Sequence, residues 1–349
     1  MRKERNIKMA NSKKLKRFAA LMSAAVIALS MTACGENEET PENTDGDTSI
    51  STSDTKADAA VTTTTAPLVT TTTTTTLPPL PVMSTYEAKY AENEDLIGWI
   101  RLDAANINDP VLQAEDNKYY LDKDFNGNEY KNGSFFVDYK CQFTTRTRPA
   151  NTIIYGHNMV TGPSFAKLTR YYDARLNGDY HGRLDFYLNN PTIEFDTIWE
   201  EGTYKVFACM YVNTMEEHGE VFKYYKQRDI KNEGQFYEYI AKIMDRSVFY
   251  TDVDLEYGDE ILTLSTCYYP LGKEVDTRCV VFARRVRDGE SAEVDTSKAY
   301  INDSPLYFDY YYKVNGGSWA GRKWDTSKVK GFDEYLADFP MSGAAAPNA

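Results

Sequence analysis

The sequence predicts a mainly β fold, a closed or nearly closed barrel with an N-terminal helix and a second helix inserted before the strand that ends at Cys267. Three observations predict it. Short β-branched and aromatic runs recur between residues 98 and 286. Gly, Pro, Asn and Asp separate them, as turns require, and many short strands with frequent turns favour a barrel. Only one interior stretch changes period: Phe236, Tyr239, Ile240 and Ile243 recur at i, i+3, i+4 and i+7.

The elements follow in chain order. Lys13, Lys14, Lys16 and Arg17 precede an apolar run over 18–31, the pattern of a secretory signal. That run is short against the roughly 20 apolar residues of a membrane span. It ends Met31-Thr32-Ala33-Cys34-Gly35, which resembles a bacterial lipobox and makes Cys34 the expected lipid-attachment residue. The alternative is an uncleaved signal anchor over 1–33, and either reading tethers the chain to the outer face of a membrane. Residues 34–84 hold Thr62–Thr65, Thr70–Thr76 and Leu77-Pro-Pro-Leu-Pro81 and almost no aromatics. Such a stretch buries no core and reads as a disordered, stiffened stalk.

Order is expected from near Ser84, where Tyr86, Tyr90, Leu96 and Ile97 suggest an opening helix. Strands are then expected at Gly98-Trp-Ile-Arg-Leu, Pro110-Val-Leu, Gly133-Ser-Phe-Phe-Val-Asp, Asn151-Thr-Ile-Ile-Tyr and Leu184-Asp-Phe-Tyr-Leu. Four more follow at Thr192-Ile-Glu-Phe, 204–212, 260–266 and 278–286, with the inserted helix over 235–245 ahead of the last two. This core domain is placed at 85–288. Residues 289–349 form a C-terminal extension of unassigned role. Its aromatic run, 307–312, is too dense to leave exposed, so it is expected to be covered.

The charge balance excludes one partner class and little else. With 39 basic and 52 acidic residues the net charge is −13, so no basic surface marks a nucleic-acid partner. The five cysteines, Cys34, Cys141, Cys209, Cys267 and Cys279, fit no zinc spacing, and no metal-ligand cluster or cofactor motif is visible. Disulfides among the last four remain open for an exported protein.

Two residues stand where chemistry can happen. Cys267 closes the run Thr263-Leu-Ser-Thr-Cys, and His157 follows Asn151-Thr-Ile-Ile-Tyr-Gly. Both sit at strand ends. A thiol becomes a nucleophile when a base or a cation lowers its pKa. Arg278, at the start of the next strand, supplies a guanidinium that stays protonated and can donate to an oxyanion. Arg284 and Arg285 lie farther along that strand, toward the other barrel end. Read from residue types alone, a single Cys and a single His are more often structural. His181 and His218 read as a turn and a solvated-loop residue.

The pattern resembles the sortases, specifically class B. The resemblance rests on TLSTC at 263–267 with Arg278 beyond it and on IIYGHN at 153–158. It also rests on Asp116-Asn-Lys-Tyr-Tyr-Leu121, Gly133-Ser-Phe-Phe-Val-Asp138 and Ser164-Phe-Ala-Lys-Leu168, all in order. It covers about 85–288 and implies a sortase-type barrel and a cysteine transpeptidase that uses no cofactor. Cys267 would attack the carbonyl of a threonine in a sorting-signal peptide, Arg278 would stabilise the oxyanion, and His157 would act as acid and base. An amine of a cell-wall precursor or a pilin would accept the acyl group. Asn117, Leu121, Tyr155 and Ser265 would line the peptide groove, with Thr266 holding peptide or thiol. The N-terminal anchor would make the membrane a further partner. Two other readings stay open: another cysteine peptidase acting on the cell wall, and a surface lipoprotein that only binds or adheres.

Overall fold

A computed structural model describes residues 77–159, 162, 164–172 and 184–341. The signal region, Cys34 and His181 lie outside them.

Helix α1 (Ser84–Glu92) opens the domain and buries Tyr86. The strands that follow are β1 (Leu96–Leu102), β2 (Ile107–Leu112), β3 (Phe135–Val137), β4 (Asn151–Tyr155), β5 (Thr192–Thr197) and β6 (Thr203–Asn213). Helix α2 (Asp185–Asn189) lies between β4 and β5, and α3 (Glu233–Arg246) follows β6. Then come β7 (Phe249–Tyr250), β8 (Ile261–Cys267), β9 (Thr277–Arg285), β10 (Tyr300–Ile301), α4 (Asp309–Asn315) and α5 (Phe332–Asp338). Eight of the strands close a barrel in the order β1-β2-β3-β4-β8-β9-β6-β5, and β7 pairs only with β10. The β2–β3 and β4–β8 pairs are parallel and the other barrel pairs antiparallel.

One expected strand is a helix. Leu184-Asp-Phe-Tyr-Leu folds as the start of α2. Phe186 and Tyr187 are adjacent and both buried, which a strand with alternating faces does not allow on a one-sided sheet. Asn189 and Asn190 donate to the carbonyls of Asp185 and Phe186, and Arg170 covers the Phe186 ring.

The inserted helix forms where its period places it. The Asn232 side chain caps it by accepting from the Gln235 amide at 2.9 Å, while the Gln235 side chain reaches back to the Lys231 amide at 3.0 Å. Its apolar face lies on the outside of the barrel against Phe207, Met210, Val280 and Phe282. Strands β6 and β9 are therefore covered on both faces, which explains their nearly unbroken apolar runs.

The C-terminal extension packs onto this second layer. Trp324, Val329 and Phe332 join the α3 cluster, and all three are buried. Asp245 of α3 accepts from both arms of Arg322 at 2.9 and 3.0 Å and from the Trp324 indole at 2.8 Å. Tyr307 and Phe308 instead pack with Tyr211 of the barrel interior. The aromatic run is covered, in keeping with its density.

At the barrel end where β8 begins, Arg284 is fully buried and bonds Glu290 and Asp254, while Arg287 pairs with Asp254 and Asp259. Arg284 lies opposite Ile261, the first residue of β8.

Candidate active site

The site is a row across three neighbouring strands. Cys267 ends β8 and lies directly opposite Arg278 of β9. On its other side β8 runs parallel to β4, with Tyr155 opposite Ser265. The same pairing carried two residues further sets His157 abreast of Cys267. Backbone contacts hold the chain there: the Gly156 amide donates to the Ser265 carbonyl at 3.3 Å, and the Asn158 side chain donates to the Cys267 carbonyl at 2.8 Å. Adjacent strands are about 4.8 Å apart, so His157 and Arg278 flank Cys267 on either side.

Facing follows from strand alternation. Ser265 and Cys267 share a face of β8, and Thr266 takes the other. Thr266, expected to hold peptide or thiol, turns away from Cys267, and its hydroxyl donates to the Gly156 carbonyl at 2.7 Å. Its contact braces the backbone just ahead of His157.

Gly156 is there for space. A Cβ at this position would come within 2.7 Å of both Phe135 and Phe165, whose rings pack 4.4 Å apart. Gly156→Ala is expected to cost about 1–3 kcal/mol by overpacking, read as a lower denaturation midpoint, because two core rings must yield.

The His157 ring is oriented from outside the row. Its Nε2 lies 2.7 Å from the Leu121 carbonyl oxygen. A carbonyl only accepts, so Nε2 carries the proton and Nδ1 is the nitrogen left to exchange one. Leu121, expected along a groove, thus contributes its backbone to the site as well.

Arg278 is 7 % exposed. Its Nη1 donates to Asp276 Oδ1 at 2.5 Å and to the Thr277 carbonyl at 3.0 Å. Burial opposes its charge, but the Asp276 carboxylate outweighs burial and the guanidinium pKa rises. Burial likewise works to raise the Asp276 pKa, yet bonds from Arg278, Thr214 and Tyr269 hold it below the usual carboxylate range.

Cys267 is less open than a strand end suggests, at 5 % exposure. The ladder does not stop at the thiol: the Tyr268 amide still donates to the Thr277 carbonyl at 3.1 Å. Cys141, Cys209 and Cys279 are free thiols in apolar surroundings. Burial pushes the Cys141 thiol up to about 12, and Cys209 and Cys279 sit side by side with their sulfurs 3.8 Å apart in the barrel interior.

The remaining expected groove residues fall into two groups. Asn117 and Tyr155 both donate to Asp138 Oδ2, at 3.1 and 3.0 Å, and Arg228 grips the same buried carboxylate with two bonds of 2.6 and 2.8 Å. Ser265 is buried, and its hydroxyl lies 2.6 Å from that of Tyr224, in the segment between β6 and α3. Asp138, Tyr224, Arg228, Asn158 and Asp276 were not singled out in sequence. Asn158 and Asp138 carried a signal, as the last residues of the runs IIYGHN and Gly133-Ser-Phe-Phe-Val-Asp138. His218, expected in solvent, packs at a tilt 4.6 Å from the Tyr310 ring of the extension. Among the described residues no cluster of three or more His, Cys, Asp or Glu is placed to hold a metal ion, and no helix is long and apolar enough to cross a membrane.

Comparison with known proteins agrees with this fold. The model of the Sortase domain matches residues 100–286. Sortase B of Listeria monocytogenes is 33 % identical over 175 residues, covering 50 % of this chain and 63 % of that protein, so the chain spans under two thirds of this relative's length. Sortase B of Staphylococcus aureus is 29 % identical over 206 residues, covering 59 % of this chain and 76 % of that one. The solved Staphylococcus aureus sortase B–substrate complex superimposes with a TM-score of 0.50 at 28 % identity, covering 59 % of this chain and 86 % of the other. The eight-stranded mixed barrel and the matched domain together place the chain in the sortase family, as a class B member.

Proposed function

We propose that this protein is a cysteine transpeptidase that cleaves a sorting signal after threonine and passes the acyl group to an amine. The observation that carries the reading is the row formed by His157 just past β4, Cys267 on β8 and Arg278 on β9. A thiol between an imidazole and a fixed guanidinium can attack a carbonyl, and the guanidinium meets the negative charge that develops on its oxygen. The Cys267 sulfur bonds to the threonine carbonyl carbon, and the C–N bond to the next residue breaks. His157 takes the thiol proton at Nδ1 as the sulfur attacks and gives it to the leaving amine. It then takes one from the incoming amine, which attacks the thioester and restores the thiol.

The Staphylococcus aureus sortase B solved with a substrate supports a bound substrate as the first partner, and the family resemblance makes it a sorting-signal peptide. The amine acceptor, a cell-wall precursor or a pilin, is read from family resemblance. So is the location on the outer face of a membrane, held by a lipid at Cys34 or by a signal anchor over 1–33.

The test is product formation. The chain from residue 77 onward is incubated with a pool of peptides that each carry one threonine and with a small primary amine as acceptor. Mass spectrometry is expected to find peptide–amine conjugates cut after threonine. Hydrolysis products alone would make the protein a peptidase; binding without cleavage would make it an adhesion module.

A further inference from the structure

Arg278 does not aim itself. Its guanidinium sits on a nearly buried side chain with several rotatable bonds, yet its Nη1 is committed, to Asp276 and to the Thr277 carbonyl. Asp276 and Arg278 are two apart, so they share the face of the strand that carries Cys267. Asp276 is itself held: Thr214 Oγ1 donates to its Oδ2 at 2.6 Å, and the Thr214 amide donates to its backbone carbonyl at 3.0 Å. We propose that Asp276 is a positioning residue that fixes the direction of the Arg278 guanidinium toward the oxyanion formed at Cys267.

The grip is one-sided. Asp276 is the only carboxylate paired with Arg278 among the described residues, and the contact is to Nη1. Contrast Arg228, whose Nε and Nη2 are both spent on Asp138. A two-pronged pair would consume the edge of the fork that an oxyanion needs. A single-pronged one orients the plane and leaves the Nε–Nη2 edge as a donor pair.

The support continues outward. Thr214 opens a loop closed by the Asn213 side chain, which donates to the carbonyls of Met215 and Gly219 at 2.8 and 3.2 Å. The C-terminal extension abuts that loop: Tyr310 packs at a tilt against His218, and a Cβ at Gly219 would come within 2.8 Å of the Asp309 amide nitrogen. The extension therefore backs the loop, the loop holds Asp276, and Asp276 holds Arg278.

This inference rests on the transpeptidase reading, and the experiment separates the two. The probe is the member of the threonine-peptide pool that the parent chain cleaves fastest. Asp276→Asn keeps shape and removes charge. It is expected to lower kcat about tenfold or more with KM changed less than about twofold. The rate of Cys267 alkylation by iodoacetamide is expected to stay within about twofold, because that reaction forms no oxyanion. In an Arg278→Ala background the same substitution is expected to have no further effect, since the group it orients is gone. Should Asp276→Asn fold poorly, Thr214→Val, which releases the second carboxylate oxygen, is read in the same way. An unchanged kcat, a loss confined to KM, a parallel loss of alkylation, or an equal loss in the Arg278→Ala background overturns the inference alone. Equal cleavage by the parent and by Cys267→Ala overturns the transpeptidase reading, and this inference with it.

Discussion

Cys267→Ala is expected to abolish peptide cleavage and transfer, by a factor of about 10⁴ or more, because no other described thiol can stand in. Cys141, Cys209 and Cys279 all lie in apolar surroundings, and Cys279, the residue after Arg278, shares its cluster with the barrel interior, on the other face from Cys267. Arg278→Ala is expected to follow with a loss of about 10²–10³ in kcat, the usual cost of one oxyanion donor. Arg284→Ala is the informative contrast. That side chain is fully buried and bonds Glu290 and Asp254 at the barrel end where β8 starts. Its removal is expected to cost about 2–4 kcal/mol of stability, below the range for a fully buried pair because Glu290 keeps Lys205 and some water. Thermal melts and single-turnover rates on the three variants distinguish these outcomes. Arg284→Ala should melt lower with near-normal chemistry at low temperature, and Arg278→Ala the reverse. A catalytic loss larger in Arg284→Ala than in Arg278→Ala would move the oxyanion role.

Ending the chain after Asp288 is expected to be nearly as damaging, through folding. The cut removes Trp324, Val329 and Phe332 from the cluster over α3 and strips Asp245 of Arg322 and Trp324. It also takes away β10, the partner of β7, and the rings of Tyr307 and Phe308 against Tyr211. Phe332 alone, with no exposed surface, is worth about 3–5 kcal/mol when cut to alanine. A total loss of that order or more lowers the melting temperature of a domain this size by at least about 6 °C. Circular dichroism on the truncated chain and on Phe332→Ala gives the answer. A truncated chain that melts like the parent would make the extension a passenger.

The sequence disclosed the barrel because its strands alternate with turn residues, and it disclosed α3 because four apolar residues keep one helical stripe. It pointed to Cys267, His157 and Arg278 as the candidate site because each stands at or just past a strand end beside a recognisable run. What escaped has common causes. Short β7 and β10, two residues each, have no period to read. In α2 the buried pair Phe186–Tyr187 suits a strand by composition and a helix only by tertiary contacts. Asp138 and Asp276 look like turn aspartates in sequence, and their partners Arg228 and Thr214 lie 90 and 62 positions away. Thr266 shows the limit of adjacency: next to the nucleophile in sequence, it is on the far side of the strand in space.

The row across β4, β8 and β9 has a consequence for anyone altering the chain. Its members are set by parity, whether a residue is odd or even along its strand, and loop lengths do not enter. Deleting one residue between Ile261 and Cys267 would exchange the places of Cys267 and Thr266 and send the thiol into the barrel, though every side chain was still present. Lengthening the turn between Tyr268 and Thr277 leaves parity untouched, because the bond between those two residues closes the ladder first. The part of the turn over 270–275, ahead of Asp276, is therefore open to grafting of new specificity, and the strand is closed to any change of odd length.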